Sequence, residues 1–209
     1  ACDMNIFSAL AYRYYAFRRY YFLAWLPFFA VITALHNLGR DFQILRDAAI
    51  GFSALSGVFL GAYEYRKVRK NYYAFRPSSS LFYASGLIFF GINAVLQSAG
   101  MLAFLLAGEA LSGNELLLPF VFLASLFTSS FSSLLASLLK IFGYMRTYIW
   151  LLVLGAAAIA FTNKERALLE FFDSFFAKRA LFLKSFPVLL LASALSSLLL
   201  FLHLNQEKK

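Results

Sequence analysis

Chemistry at a protein site needs a nucleophile with a base, a set of metal ligands or a phosphate cradle, and residues that could supply one are sparse in this chain. The two histidines, His36 and His203, lie far apart, and neither has a Ser, Cys or carboxylate at a spacing that would build a hydrolase. Interfacial positions suit both better. The only cysteine, Cys2, stands ahead of Met4 in a stretch, Ala1 to Asp3, that reads as an addition before the native start; no disulfide framework and no cysteine metal site are expected. Residues 111–115 read LSGNE, faintly like an ATPase signature, yet the chain carries no GxxxxGK phosphate loop. The expectation is a chain with no catalytic residues, no metal ligands and no cofactor of its own.

Hydroxyls and amides are better organised. Ser125, Ser129, Ser133 and Ser137 recur every four residues, with Thr128 and Ser132 beside them, so one helix face carries a line of hydroxyls. Asn93 and Gln97 form a similar pair, as do Ser193, Ser196 and Ser197. Such faces serve either close packing between membrane helices or the lining of a cargo path, through Asn93, Gln97, Ser125, Ser129, Ser133, Ser193 and Ser197. Ser53, Gly57 and Gly61 form a ladder of small residues, which predicts helix packing within one chain or between two.

The densest cluster of cations is EYRKVRKNYYAFRPSSS, residues 64–80. There Arg66, Lys67, Arg69, Lys70 and Arg76 interleave with Tyr72, Tyr73 and Phe75. A basic aromatic patch binds lipid headgroups, or offers apolar surface for a partner to bury.

The elements that must position these residues follow from composition. Of 209 residues, 62% are hydrophobic and 14% charged, a mixture unable to cover a water-facing surface. The apolar residues form long uncharged runs without the two-residue alternation of a barrel strand, so the expected fold class is an all-α integral membrane protein, one transmembrane domain over residues 1–209. Residues 4–19 read as an interfacial helix with Ile6, Phe7, Leu10, Tyr14 and Phe17 on its apolar face and Arg13 and Arg18 reaching phosphates. Six spans are expected at 20–38, 48–63, 81–107, 116–139, 147–162 and 185–204, the second and fifth only sixteen residues long. The first span reads as retained, not as a cleaved signal. Between the last two, residues 163–184 place Leu168, Phe171, Phe172, Phe175 and Phe176 opposite Arg166, Glu170 and Asp173, the pattern of an external amphipathic or re-entrant element.

The net charge of +9 lies in loops between apolar runs, which suits membrane orientation better than nucleic-acid binding. The two termini, the 64–80 loop and the 140–146 loop hold 12 Lys and Arg against 7 in the other loops, which places both termini in the cytoplasm. No Lys, Arg, Asp or Glu falls inside the six runs, which argues against a proton-driven pump.

Glu64 and Pro77 stand thirteen residues apart and Ser78 and Ser79 follow. With the six-span plan, this resembles the loop of type-2 ABC transporter permeases. The resemblance implies a coupling helix docking on a separate ATPase, with Glu64, Arg66, Lys67, Arg69, Lys70, Tyr72, Tyr73, Phe75, Arg76 and Pro77 as docking residues. The acidic, Gly- and Thr-containing stretch usual in that family is replaced here by Arg66, Lys67, Arg69 and Lys70. It further implies an exporter in a bacterial plasma or inner membrane, a second permease copy or related chain as partner, ATP and Mg held by the ATPase, and an amphipathic cargo such as a peptide or lipid. A non-catalytic membrane scaffold, or an accessory subunit of another complex, is the alternative.

Overall fold

The computed structural model describes residues 5–64, 79–109, 112, 114–142 and 179–206. Every regular element among them is helical: α1 (Ile6–Tyr20), a π turn (Tyr21–Trp25), α2 (Leu26–Asn37), α3 (Phe42–Tyr63), α4 (Ser79–Ala107), α5 (Leu117–Phe142) and α6 (Arg179–Gln206). Four stretches are long and apolar enough to cross a membrane, Phe42–Tyr63, Ser80–Ala107, Leu117–Ser137 and Leu183–Leu202. The chain is therefore a multi-pass membrane protein in plan.

The N-terminal helix starts at a reciprocal cap. Asn5 Oδ1 accepts from the Ser8 N–H at 2.9 Å, and Ser8 Oγ accepts from the Asn5 N–H at 3.0 Å. Helical backbone then continues through residues 6–37 without a break, so the expected interfacial helix and the expected first span form one rod. The π turn sits just before Pro27, whose missing N–H and bulky ring disfavour a regular α turn at that point. The rod ends in a left-handed cap. Gly39 takes φ +80°, its N–H donates to the His36 carbonyl at 2.9 Å and the Arg40 N–H to the Leu35 carbonyl at 3.1 Å.

α3 begins at Phe42, six residues before the expected span, because Asp41 caps it through the Gln43 N–H at 2.8 Å. Arg46 and Asp47 then pair with each other at 2.9 Å, so the added turns carry little net charge, and the helix reaches 22 residues without help from flanking segments. α6 also begins early, at Arg179, so Arg179 and Lys184 belong to the helix of the last expected span and not to a separate external element; Pro187 lies inside it. The fifth expected span and most of the amphipathic element fall outside the described residues.

Helix directions follow from the core. At one end Phe29 and Ile32 of α2, Leu45 and Ala49 of α3, Met101, Phe104 and Leu105 of α4 and Leu117 and Val121 of α5 bury one another, with Phe186 of α6 packed against them. At the other end Ala9, Phe82, Leu134, Ala136 and Leu200 form a second cluster, next to a third of Phe17, Tyr21, Leu60, Phe89 and Phe90. The α1–α2 rod and α4 thus run one way, and α3, α5 and α6 the other.

The α3–α5 seam is the tightest contact. A Cβ at Gly57 would collide with Thr128 Oγ1 and stand 2.9 Å from the Ser125 carbonyl oxygen; one at Gly61 would collide with the Ser129 carbonyl oxygen and stand 3.0 Å from the Ser133 nitrogen. The small-residue ladder therefore packs within the chain, letting two backbones approach where dispersion, not the hydrophobic effect, must hold helices together.

Candidate functional site

The 65–78 segment leaves the end of α3 and returns at the start of α4, and one side chain ties both points together. Arg13 is fully buried on α1. Its Nε donates to Glu64 Oε1 at 2.5 Å, its Nη1 to Ser85 Oγ at 2.7 Å and its Nη2 to the Phe82 carbonyl at 2.9 Å. A weaker bond runs from Nη1 to the Ala9 carbonyl at 3.4 Å, and the guanidinium lies 4.7 Å from the centre of the Phe82 ring. Glu64, Ser85 and Phe82 flank the basic aromatic segment on both sides.

This placement corrects the expectation that Arg13 reaches lipid phosphates. The buried face of α1 is Ala9, Arg13 and Phe17, while Ile6, Phe7 and Tyr14, expected on the apolar face, are exposed. An arginine survives there because a carboxylate, a hydroxyl and a backbone carbonyl meet its fork at short range. Removing one partner of such a pair leaves a buried charge alone, at a cost of about 3–5 kcal/mol. Arg18 stays outside and lies over the Tyr15 ring at 4.0 Å.

Of the expected docking residues, Glu64 is described and buried; Arg66, Lys67, Arg69, Lys70, Tyr72, Tyr73, Phe75, Arg76 and Pro77 lie outside the described residues. All seven residues assigned to a cargo path are buried within the single chain. Ser125, Ser129 and Ser133 face the α3 glycines. Ser132 Oγ donates to the Val58 carbonyl across the same seam at 2.7 Å, and Ser193 Oγ donates to the Leu189 carbonyl of its own helix at 2.8 Å.

Asn93 and Gln97 organise a polar layer at the π turn. Tyr21 Oη donates to Asn93 Oδ1 at 3.5 Å, and Asn93 Nδ2 donates to Ser125 Oγ at 3.3 Å. Gln97 Nε2 donates to Tyr20 Oη at 3.3 Å, and Ser53 Oγ donates to Gln97 Oε1 at 3.4 Å. Tyr20 and Tyr21 were absent from the expected site. Their signal was the coincidence of two phenols with the Asn93–Gln97 spacing. Satisfied polar side chains in a membrane bundle act as interhelical ties.

His36 packs edge-on against the Phe42 and Phe104 rings, which stack on each other, with Nε2 3.4 Å from the Gly108 carbonyl oxygen. Among the described residues no three His, Cys, Asp or Glu side chains gather as metal ligands would. No family model matches the chain, and no curated protein and no solved structure is significantly similar to it.

Proposed function

We propose that this chain is a membrane-spanning subunit whose basic aromatic segment, residues 64–77, docks a cytoplasmic partner, and that the partner is the ATPase of an ABC exporter. The observation that carries the docking reading is Arg13, which binds Glu64 before the segment and Phe82 and Ser85 after it. A loop with both feet pinned can transmit force between a partner and the helices; a loose one cannot. The identity of the partner rests on the type-2 permease resemblance.

Six spans with both termini cytoplasmic in a bacterial plasma or inner membrane complete the proposal. The parallel course of α5 and α6 supports that count, since the chain between Phe142 and Arg179 has to return to the face where α5 begins. Transport then needs a second copy or a related permease, and ATP and Mg belong to the ATPase. A second reading, a non-catalytic scaffold or accessory subunit, is favoured by the burial of the Ser125, Ser129 and Ser133 face against α3, since a scaffold needs packing and no path.

The test is co-purification from mild detergent with the products of neighbouring genes, followed by ATP hydrolysis in lipid. The exporter reading expects an ATPase with the unmodified chain, its release by Tyr73→Ala with Arg76→Ala, and smaller effects from Arg66→Ala with Lys67→Ala. Recovery of no ATPase favours the scaffold.

A further inference from the structure

The Arg13–Glu64 pair uses only one carboxylate oxygen. Glu64 Oε1 receives the guanidinium, whereas Oε2 is buried without a hydrogen-bond partner. Glu64 is only 2% exposed, and it lines a small cavity with Phe82, Tyr83 and Gly86 of α4, Ser133 of α5 and Leu200 of α6, leaving a water's centre about 10 Å³ in which to lie. A carboxylate oxygen out of water with no donor is costly, so the position selects for a small donor. The walls, mostly aromatic and aliphatic, could not replace the hydration shell of a metal cation, and a second positive charge would lie beside Arg13. One neutral water fits the size and the charge, and the polar partners it needs are at hand in Glu64 Oε2 and the Ser133 and Tyr83 side chains that line the same cavity.

We propose that this cavity is a single-water site through which Glu64 exchanges a proton, so that the pin at the base of the 65–78 segment is acid-sensitive. The site water gives one of its protons to Oε2 as it takes up another from solvent, so it stays neutral and no cation lodges in the cavity; the carboxyl becomes neutral while Arg13 keeps its charge. Among the described side chains, the titratable or charged groups facing Glu64 are Arg13 from α1 and Tyr83 from α4; α5 and α6 present Ser133 and Leu200. Acid thus converts an ion pair into a charge–dipole contact, leaving Arg13 on Ser85 and the Phe82 and Ala9 carbonyls. This inference stands apart from the ATPase reading, since its test uses the purified chain alone.

Gly86 provides the decisive variant. A Cβ there would lie 3.6 Å from Arg13 Nη2 and 3.8 Å from Glu64 Oε1, ordinary contacts, so Gly86→Ala adds a methyl at the cavity wall without displacing the pair. The experiment is infrared difference spectroscopy of the full chain in lipid nanodiscs after a downward pH step, with helix content followed by circular dichroism. The unmodified chain is expected to gain a carboxylic acid C=O band that Glu64→Gln lacks, and Gly86→Ala to gain it about tenfold more slowly because its water is displaced. Glu64→Asp, which keeps a carboxyl and shifts the band, assigns it should Glu64→Gln not fold. Absence of any Glu64-dependent band, or equal rates in Gly86→Ala and the unmodified chain, overturns the proposal.

Discussion

Gly61 of α3 lies against the backbone of Ser129 of α5 so closely that a single added carbon would overlap the Ser129 carbonyl. Backbone, unlike a flexible side chain, cannot step aside. Gly61→Ala should therefore destabilise the fold by about 1–3 kcal/mol, the usual cost of overpacking a close contact. Gly51, with nothing within 4 Å of a Cβ, is the control, and Gly51→Ala should leave stability within about 1 kcal/mol of the unmodified chain. Unfolding titrations in mixed micelles compare the two; equal effects would show that the seam is looser than described.

The Arg13–Glu64 pair should behave as a unit. Arg13→Met leaves Glu64 as a buried lone carboxylate and should cost about 3–5 kcal/mol, while Arg13→Met with Glu64→Leu removes both charges and should recover much of that loss. A double-mutant cycle by chemical unfolding gives the coupling. Strict additivity of the two single changes would mean that they do not share a buried site.

Hydroxyl size, more than hydroxyl chemistry, should matter at Ser129. Its Oγ has no hydrogen-bond partner, so Ser129→Ala should be tolerated within about 1 kcal/mol. Ser129→Leu with Ser133→Leu should prevent α3 and α5 from closing and reduce the yield of folded chain. Size-exclusion profiles and protease resistance read the difference. A well-folded double-Leu chain that fails in transport would favour the cargo-path reading.

Orientation can be fixed by labelling. In a chain lacking Cys2, a cysteine at position 163 should react with an impermeant thiol reagent in intact cells and one at position 71 should not, following the excess of Lys and Arg on the opposite side. Labelling at position 71 instead would invert the topology and remove a cytoplasmic partner from the 64–77 segment.

Much of this architecture was legible because a membrane imposes a coarse rule: α4 and α5 fall within a few residues of their apolar runs, since no polar break is tolerated there. Helix ends were less legible. Arg46 and Asp47 look like loop residues until they are seen to bond each other, and Asp41 caps a helix whose first turns the hydropathy pattern rejects. The Ser53, Gly57 and Gly61 ladder announced a contact but not its partner. Arg13 was hidden for a different reason. An amphipathic pattern assigns cations to the wet side, and the carboxylate that reverses this assignment stands 51 residues away. The hydroxyl faces announced packed surfaces without naming what lies opposite, which for Ser125, Ser129 and Ser133 is α3.

The π turn at Tyr21–Trp25 has a geometric effect that reaches both ends of the rod. Ala9, Arg13, Phe17, Tyr21 and Phe29 are buried at multiples of four residues, yet an α-helix turns once every 3.6 residues, so a stripe of that spacing slides by about 40° at each step. Left alone, the accumulated slide would carry Phe29 off Gly100 if Arg13 faced Ser85. The wider turn lowers the angle advanced per residue and returns the stripe toward its starting azimuth. Trimming one residue from 21–25 would therefore act at a distance, rotating the upper contacts by about 100° relative to the lower ones. The rod is phase-locked at its middle, and the sequence there is constrained in length as well as in kind.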